Sequence, residues 1–259
     1  MIKTNWLLIC FEMMCDYFPT SFAVREDKRR FLELSGHFCE LENRIEHRLS
    51  VESKVFFNRT IGLGYTRNEM HETALQYYKK AFDFLPDSND ESVPFEDIIK
   101  TYSCMAECYM QLDDYENAVK YSGLLIEYLT EETDCMNNYY FIALLYRAKI
   151  YRFYGESYYA LSKADYIKAL EFESFIMENY YDDHFVDIVA AHVGFAITNK
   201  NMGLDDEAKK QLLYSCEMIK NANFADYPEE YAYIFYDIGL LFERFNETEK
   251  AFHYFTRKL

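Results

Sequence analysis

Cys104 and Cys108 stand four positions apart, a spacing that sets two thiols on one face of a helix and would supply half of a metal site. No second His or Cys pair stands at ligand spacing to complete it, so the two read as small packing residues beside Ala106. His184 and His192 have no ligand or nucleophile partner at a useful spacing either, and read as packed or solvated histidines. The chain contains no phosphate-binding glycine loop, no GxSxG and no HExxH. Four tyrosine doublets, at Tyr77, Tyr139, Tyr158 and Tyr180, offer faces for base stacking. Against that, 44 acidic residues face 27 basic ones, and a net charge of -17 repels a nucleic-acid backbone and an anionic membrane alike. The doublets therefore belong to packing. What the residues support is holding a partner rather than transforming a substrate, with no catalytic set, metal or cofactor implied.

The elements that must position any binding residue are helices. Half of the 259 residues are apolar, and only 8 Gly and 4 Pro interrupt them, too few for a many-stranded sandwich or barrel. Seven Cys, an odd number without a compact framework, fit free thiols in a reducing, cytoplasmic setting. The apolar opening run from Trp6 is cut by Glu12 and reads as a packed helix, and no stretch approaches the roughly 18 apolar residues that span a bilayer.

A pattern recurs five times: a small residue, a partner three later, an alanine twelve later. The small residues are Gly62, Ala106, Ala148, Ala196 and Gly239; the partners are Tyr65, Tyr109, Tyr151, Asn199 and Phe242; the alanines are Ala74, Ala118, Ala160, Ala208 and Ala251. The physical sense is a helical hairpin, in which the small side chain lets two antiparallel helices approach and the aromatic fills the space one turn on. Short polar or glycine-bearing stretches at Thr66, Gln111, Tyr154, Asn201 and Arg244 begin the turns. Acidic connectors are expected at Asp87 to Ser92 and Thr130 to Thr133, and Glu173 to Asp183 is expected to extend a helix. Before the repeats, Thr4 to Phe18 and Arg25 to Leu49 are broken at Pro19 and read as a capping helix pair or degenerate repeat over residues 1–50. Residues 51–259 are expected to form one continuous array.

The first unit, with Gly62, Tyr65, Ala74, Tyr78, Ala81 and Pro86, resembles the tetratricopeptide repeat family. The alanines are 44, 42, 48 and 43 positions apart, against about 34 in the standard unit, and such periods are similar to those of kinesin light chains and of bacterial peptide-pheromone receptors. The resemblance implies an all-α, right-handed superhelical solenoid of antiparallel hairpins whose concave groove binds a protein or peptide. Carried onto this chain, the family's groove positions include Arg59, Lys100, Lys149, Arg152, Phe153, Lys200, Asn201, Tyr233, Tyr236 and Arg244. Seven of the groove positions are basic and two acidic, which implies a partner segment that is acidic and carries a bulky apolar side chain. Arg67, Arg152, Lys200 and Arg244 also fall near helix C-termini, where the helix dipole favours a cation without any ligand. The carboxylate clamp of some co-chaperones in the family is absent, since its places hold Arg59, Leu63, Cys104, Ile142 and Tyr146. The glutamine of the pheromone-controlled phosphatases is absent too, because no Gln precedes Gln76. The alternative reading is the sensor part of a peptide-responsive regulator whose effector lies outside this chain. Phe252 and Phe255 on the last helix imply self-association through that end or a longer native chain.

Overall fold

Small side chains decide where helices of this chain can meet, and a single local turn decides how they reverse. A computed structural model describes residues 31–37, 40, 49–85, 93–132, 138–220 and 228–256. Of the capping pair over residues 1–50, Thr4 to Phe18 lies outside the described residues, and so does most of Arg25 to Leu49; residues 31–37 are helical. Among the described residues eleven α-helices follow, with no strand: α1 Val51–Arg67, α2 His71–Asp83, α3 Phe95–Gln111, α4 Tyr115–Glu132, α5 Asn138–Tyr154, α6 Tyr159–Leu170, α7 Glu173–Asn179, α8 Tyr181–Asn201, α9 Asp205–Lys220, α10 Pro228–Arg244 and α11 Thr248–Phe255. The chain divides into two compact units, Met1–Tyr121 and Ser122–Leu259, with the division inside α4.

Within the first unit α1 starts where the Ser50 side chain accepts the Ser53 N–H at 3.1 Å. The helix reverses at Glu69, which takes a left-handed φ of 61° and lets the Met70 N–H reach back to the Tyr65 carbonyl at 3.0 Å. In α2, Tyr78 is fully buried, and a Cβ placed on Gly62 would come within 2.7 Å of its ring, so the glycine is what lets these two helices close. Tyr65 then stacks on Tyr77, with ring centres 5.5 Å apart. The next hairpin repeats the arrangement: Asp113 at φ 58°, the Asp114 N–H on the Tyr109 carbonyl at 2.9 Å, Ala118 fully buried, and Tyr109 stacked on Tyr121 at 5.3 Å. Arg59 on α1 pairs with Asp97 on α3 at 2.7 Å and ties the two hairpins together.

Within the second unit the hairpins α8–α9 and α10–α11 reverse by the same device, at Gly203 with φ 75° and at Asn246 with φ 59°. Their core holds Val189, Val193, Ala196, Leu212, Ile219, Ile234, Ile238, Leu241 and Ala251. The hairpin α5–α6 departs from the rule. Gly155 stands where the left-handed residue is expected but adopts φ 124°, ψ -173°, and a 3-10 turn, Glu156–Tyr158, follows before α6 begins. The extra length moves the close-contact position from Ala160, which is exposed, to Ser162, which is fully buried. Ser162 Oγ donates to the Ala148 carbonyl at 2.8 Å and lies 3.2 Å from Thr198 Oγ1, so a hydroxyl joins α5, α6 and α8 where other hairpins use alanine. A second departure lies before α8. Glu173 to Asp183 does not continue α6; Tyr180, at φ -139°, separates the short α7 from α8.

Candidate functional site

In the second unit, the first helices of three hairpins leave one face uncovered by their own partners. On α5 the period of three and four brings Ile142, Leu145, Lys149 and Arg152 onto that face, while Phe141, Leu144 and Ala148 on the other side are buried. On α8 it is Val186, Asp187, Ala190 and Gly194, and on α10 it is Tyr233, Ile234 and Asp237. These side chains line one cleft of about 380 Å³. At its centre α8 offers only the small residues Ala190, Ala191 and Gly194, which leave the floor open.

Gly194 has a further role. A Cβ on it would collide with the hydroxyl of Tyr166, a buried residue of α6 whose ring runs beneath α8 to the cleft. Burial pushes the Tyr166 hydroxyl pKa up, against the charge and hydrogen bond of Arg152, so the group stays a neutral phenol. Arg152 lies over the Phe153 ring at 4.7 Å, and its Nε is buried with no hydrogen-bond partner among the described residues. Across the cleft, burial pushes the half-buried Asp237 carboxyl above its usual range, and Arg152 and Lys149 pull it back. Asp237 nonetheless makes no ion pair among the described residues. The second carboxylate, Asp187, is engaged with His184 Nδ1 at 2.9 Å.

The cleft therefore unites Lys149, Arg152 and Tyr233 of the expected residues, with Phe153 half-exposed beside Arg152. Tyr236 faces a different hollow of about 570 Å³, with Phe235, Leu240, Tyr254 and Phe255. Lys200 bonds both carboxylate oxygens of Asp205 at 2.9 Å and lies 4.4 Å from the centre of the Phe245 ring, which makes it a clasp for its own hairpin turn. Asn201 ends α8, and Arg244 ends α10 exposed. Arg59 and Lys100 belong to the first unit, where Arg59 is 8% exposed in its pair with Asp97 and Lys100 meets Glu96 one turn away at 2.6 Å.

Sequence reasoning missed Asp187, Asp237, Tyr166 and Gly194. For Asp237 the available signal was spacing, since it is four residues from Tyr233, on a face already assigned to the groove.

Other candidate chemistry resolves into packing. Burial pushes the Cys104 thiol up to about 11 and the Cys108 thiol up to about 12, so both rest as neutral thiols. No group of three His, Cys, Asp or Glu able to hold a metal occurs among the described residues. Cys104 and Cys108 are free thiols. The His192 ring, almost fully buried, lies between Gln211 at 2.7 Å and Glu173 at 3.2 Å, and the Tyr214 hydroxyl donates to Glu173 at 2.9 Å. This polar set holds α7, α8 and α9 together. No helix among the described residues is long and apolar enough to cross a membrane.

No family model matches the chain, and no curated protein does. Solved structures do match. BtubC (BKLC) from P. vanneervenii aligns with TM-score 0.64 at 13% identity, over 92% of this chain and 90% of that one. A putative kinesin light chain of Podospora anserina, with nearly identical TPR-like repeats, aligns with TM-score 0.62 at 10% identity, over 80% of this chain and 93% of that one. NprR in complex with its cognate peptide NprX aligns with TM-score 0.59 at 16% identity, over 98% of this chain and 65% of that one. At such identities the likeness is one of fold. Together with the five hairpins it shows that this chain has an all-α helical-repeat fold of the tetratricopeptide type.

Proposed function

We propose that the chain is a binding module that catalyses no reaction, and that the cleft on α5, α8 and α10 receives a segment of a protein or peptide. One observation carries the reading: Lys149 and Arg152 converge with aliphatic walls and the 78%-exposed Tyr233 in one open cleft. The partner segment offers a carboxylate to the two cations and a bulky apolar side chain to the walls. NprR, of like fold, was solved with a cognate peptide, which supports a peptide as ligand. Affinity capture on the full chain followed by mass spectrometry names the partner. Reversing Lys149 and Arg152 together to Glu then weakens binding by about 2 kcal/mol or more, and the wild-type affinity falls with added salt. An affinity untouched by the reversal and by salt would place the binding surface elsewhere and leave Arg152 as a cation that only caps its helix.

The same likeness to a peptide complex favours a second reading, a peptide-sensing unit of a regulator. Capture separates the two, since a sensor retains a short peptide and an interaction module retains a folded protein. The 67%-exposed Phe252 on α11 supports self-association through that helix as a further property of the module.

A further inference from the structure

Resting on the binding reading above, we infer that this cleft selects a segment carrying both signs of charge: a carboxylate taken by Lys149 and Arg152 on α5, and a cationic group taken by Asp237 on α10, on either side of an aliphatic side chain seated at Ala190. The groove positions that the family resemblance implies predict an acidic ligand. Within the cleft that balance changes, because Asp187 and Asp237 offset Lys149 and Arg152.

The two charged walls are near enough to feel each other and too far apart to neutralise each other. Arg152 and Lys149 both act on the Asp237 carboxyl, yet Asp237 makes no ion pair among the described residues. Arg152 keeps a buried Nε without an acceptor. Asp187 differs, because His184 already engages it. A purely acidic segment would supply the acceptor that Arg152 lacks and set a second negative charge beside a half-buried Asp237. A purely basic segment would answer Asp237 and face two cations. Only a ligand bearing both groups answers both walls. The small residues of α8 between the walls let such a segment approach closely, and Ile142, Val186 and Ile234 supply the apolar contact at mid-cleft.

The test pans a random dodecapeptide library, displayed on phage, against the full chain and against Asp237→Asn, an isostere whose fold is checked by circular dichroism. Peptides enriched on the wild type pair an acidic and a basic residue around an aliphatic one, and the basic residue loses its enrichment on Asp237→Asn. A synthetic copy of an enriched peptide binds Asp237→Asn about tenfold more weakly, and Lys149→Gln with Arg152→Gln at least as weakly. The same peptide with its basic residue replaced by Gln binds wild type and Asp237→Asn alike, which assigns the loss to that one contact. Enriched peptides that are acidic only, and indifferent to Asp237→Asn, overturn this inference and leave the binding reading standing. No enrichment, or enrichment insensitive to every cleft substitution, overturns both.

Discussion

Arg147 and Asp165 form a two-pronged pair, Nε to Oδ2 at 2.7 Å and Nη2 to Oδ1 at 2.8 Å, that fastens α5 to α6 where the irregular turn gives no left-handed cap. Asp165 is buried, so removing its partner strands a carboxylate. Arg147→Met is expected to cost about 2 to 3 kcal/mol in urea unfolding, and adding Asp165→Leu should recover most of it, because a matched apolar pair leaves nothing unpaired. Two carboxyls respond to pH with opposite signs. The His192 hydrogen bond holds Glu173 below its usual range, so its contribution to stability is present above the ordinary carboxylate pKa and lost as pH falls through the lowered one. Melting midpoints taken from about pH 7 to about pH 3 should therefore fall less steeply in Glu173→Gln. Burial raises Asp237, whose contribution is present at low pH and lost as pH rises through the raised value, so Asp237→Asn is expected to melt no lower than wild type at neutral pH. A lower midpoint there would show that the carboxylate serves the fold rather than a ligand.

The hairpin is the element that repeats, and its alanine column tests how far a local rule reaches. Ala118 sits fully buried at a helix contact, while Ala160, at the same sequence offset, is exposed. Ala118→Leu should cost about 1 to 3 kcal/mol by overpacking, whereas Ala160→Leu should stay within about 0.5 kcal/mol, both read from thermal or urea melts. Equal effects would mean that the third hairpin keeps the common register. The offset of twelve holds in the other four hairpins because the left-handed turn is a local device of fixed length, at Glu69, Asp113, Gly203 and Asn246. It fails at Gly155, where the sequence shows the glycine but not which of its allowed conformations tertiary packing selects. The fourth hairpin differs in content. Three hairpins stack an aromatic on a tyrosine at that level, Tyr65 on Tyr77, Tyr109 on Tyr121 and Phe242 on Tyr254, but here Asn199 and Gln211 stand instead. Asn199 is fully buried, with neither amide atom finding a partner among the described residues. Asn199→Leu should raise stability by about 1 kcal/mol, and a fall in melting midpoint would show that a buried water or neighbour satisfies the amide.

At the scale of the whole molecule, a net charge of -17 turns acidic and nucleic-acid partners away from most of the surface, so Lys149 and Arg152 confine the proposed capture of a carboxylate to the cleft. The same charge opposes self-association at low salt. If α11 pairs with a second copy, sedimentation should show a dimer whose population grows with ionic strength, and Phe252→Asp should return it to monomer. A monomer at every salt concentration would leave Phe252 as an isolated surface aromatic.

Helical content, five hairpins and the identity of the close-contact residues in four of them follow from the sequence alone, because small-residue spacing, turn residues and apolar period act over fewer than about twenty positions. The resemblance to the tetratricopeptide family carried Lys149, Arg152 and Tyr233 onto groove positions, and all three line the cleft. It could not single out Asp187 or Asp237 among 44 acidic residues, since a solvated acid and a cleft acid look alike along a helix. Only the packing of α10 against α8 brings Asp237 to face α5, and only burial there leaves its charge in need of a partner. The register of α6 was likewise a tertiary decision. Ser162 gains a carbonyl and a hydroxyl partner that exist only once α5, α6 and α8 have met, and that meeting, not the local spacing, leaves Ala160 in solvent.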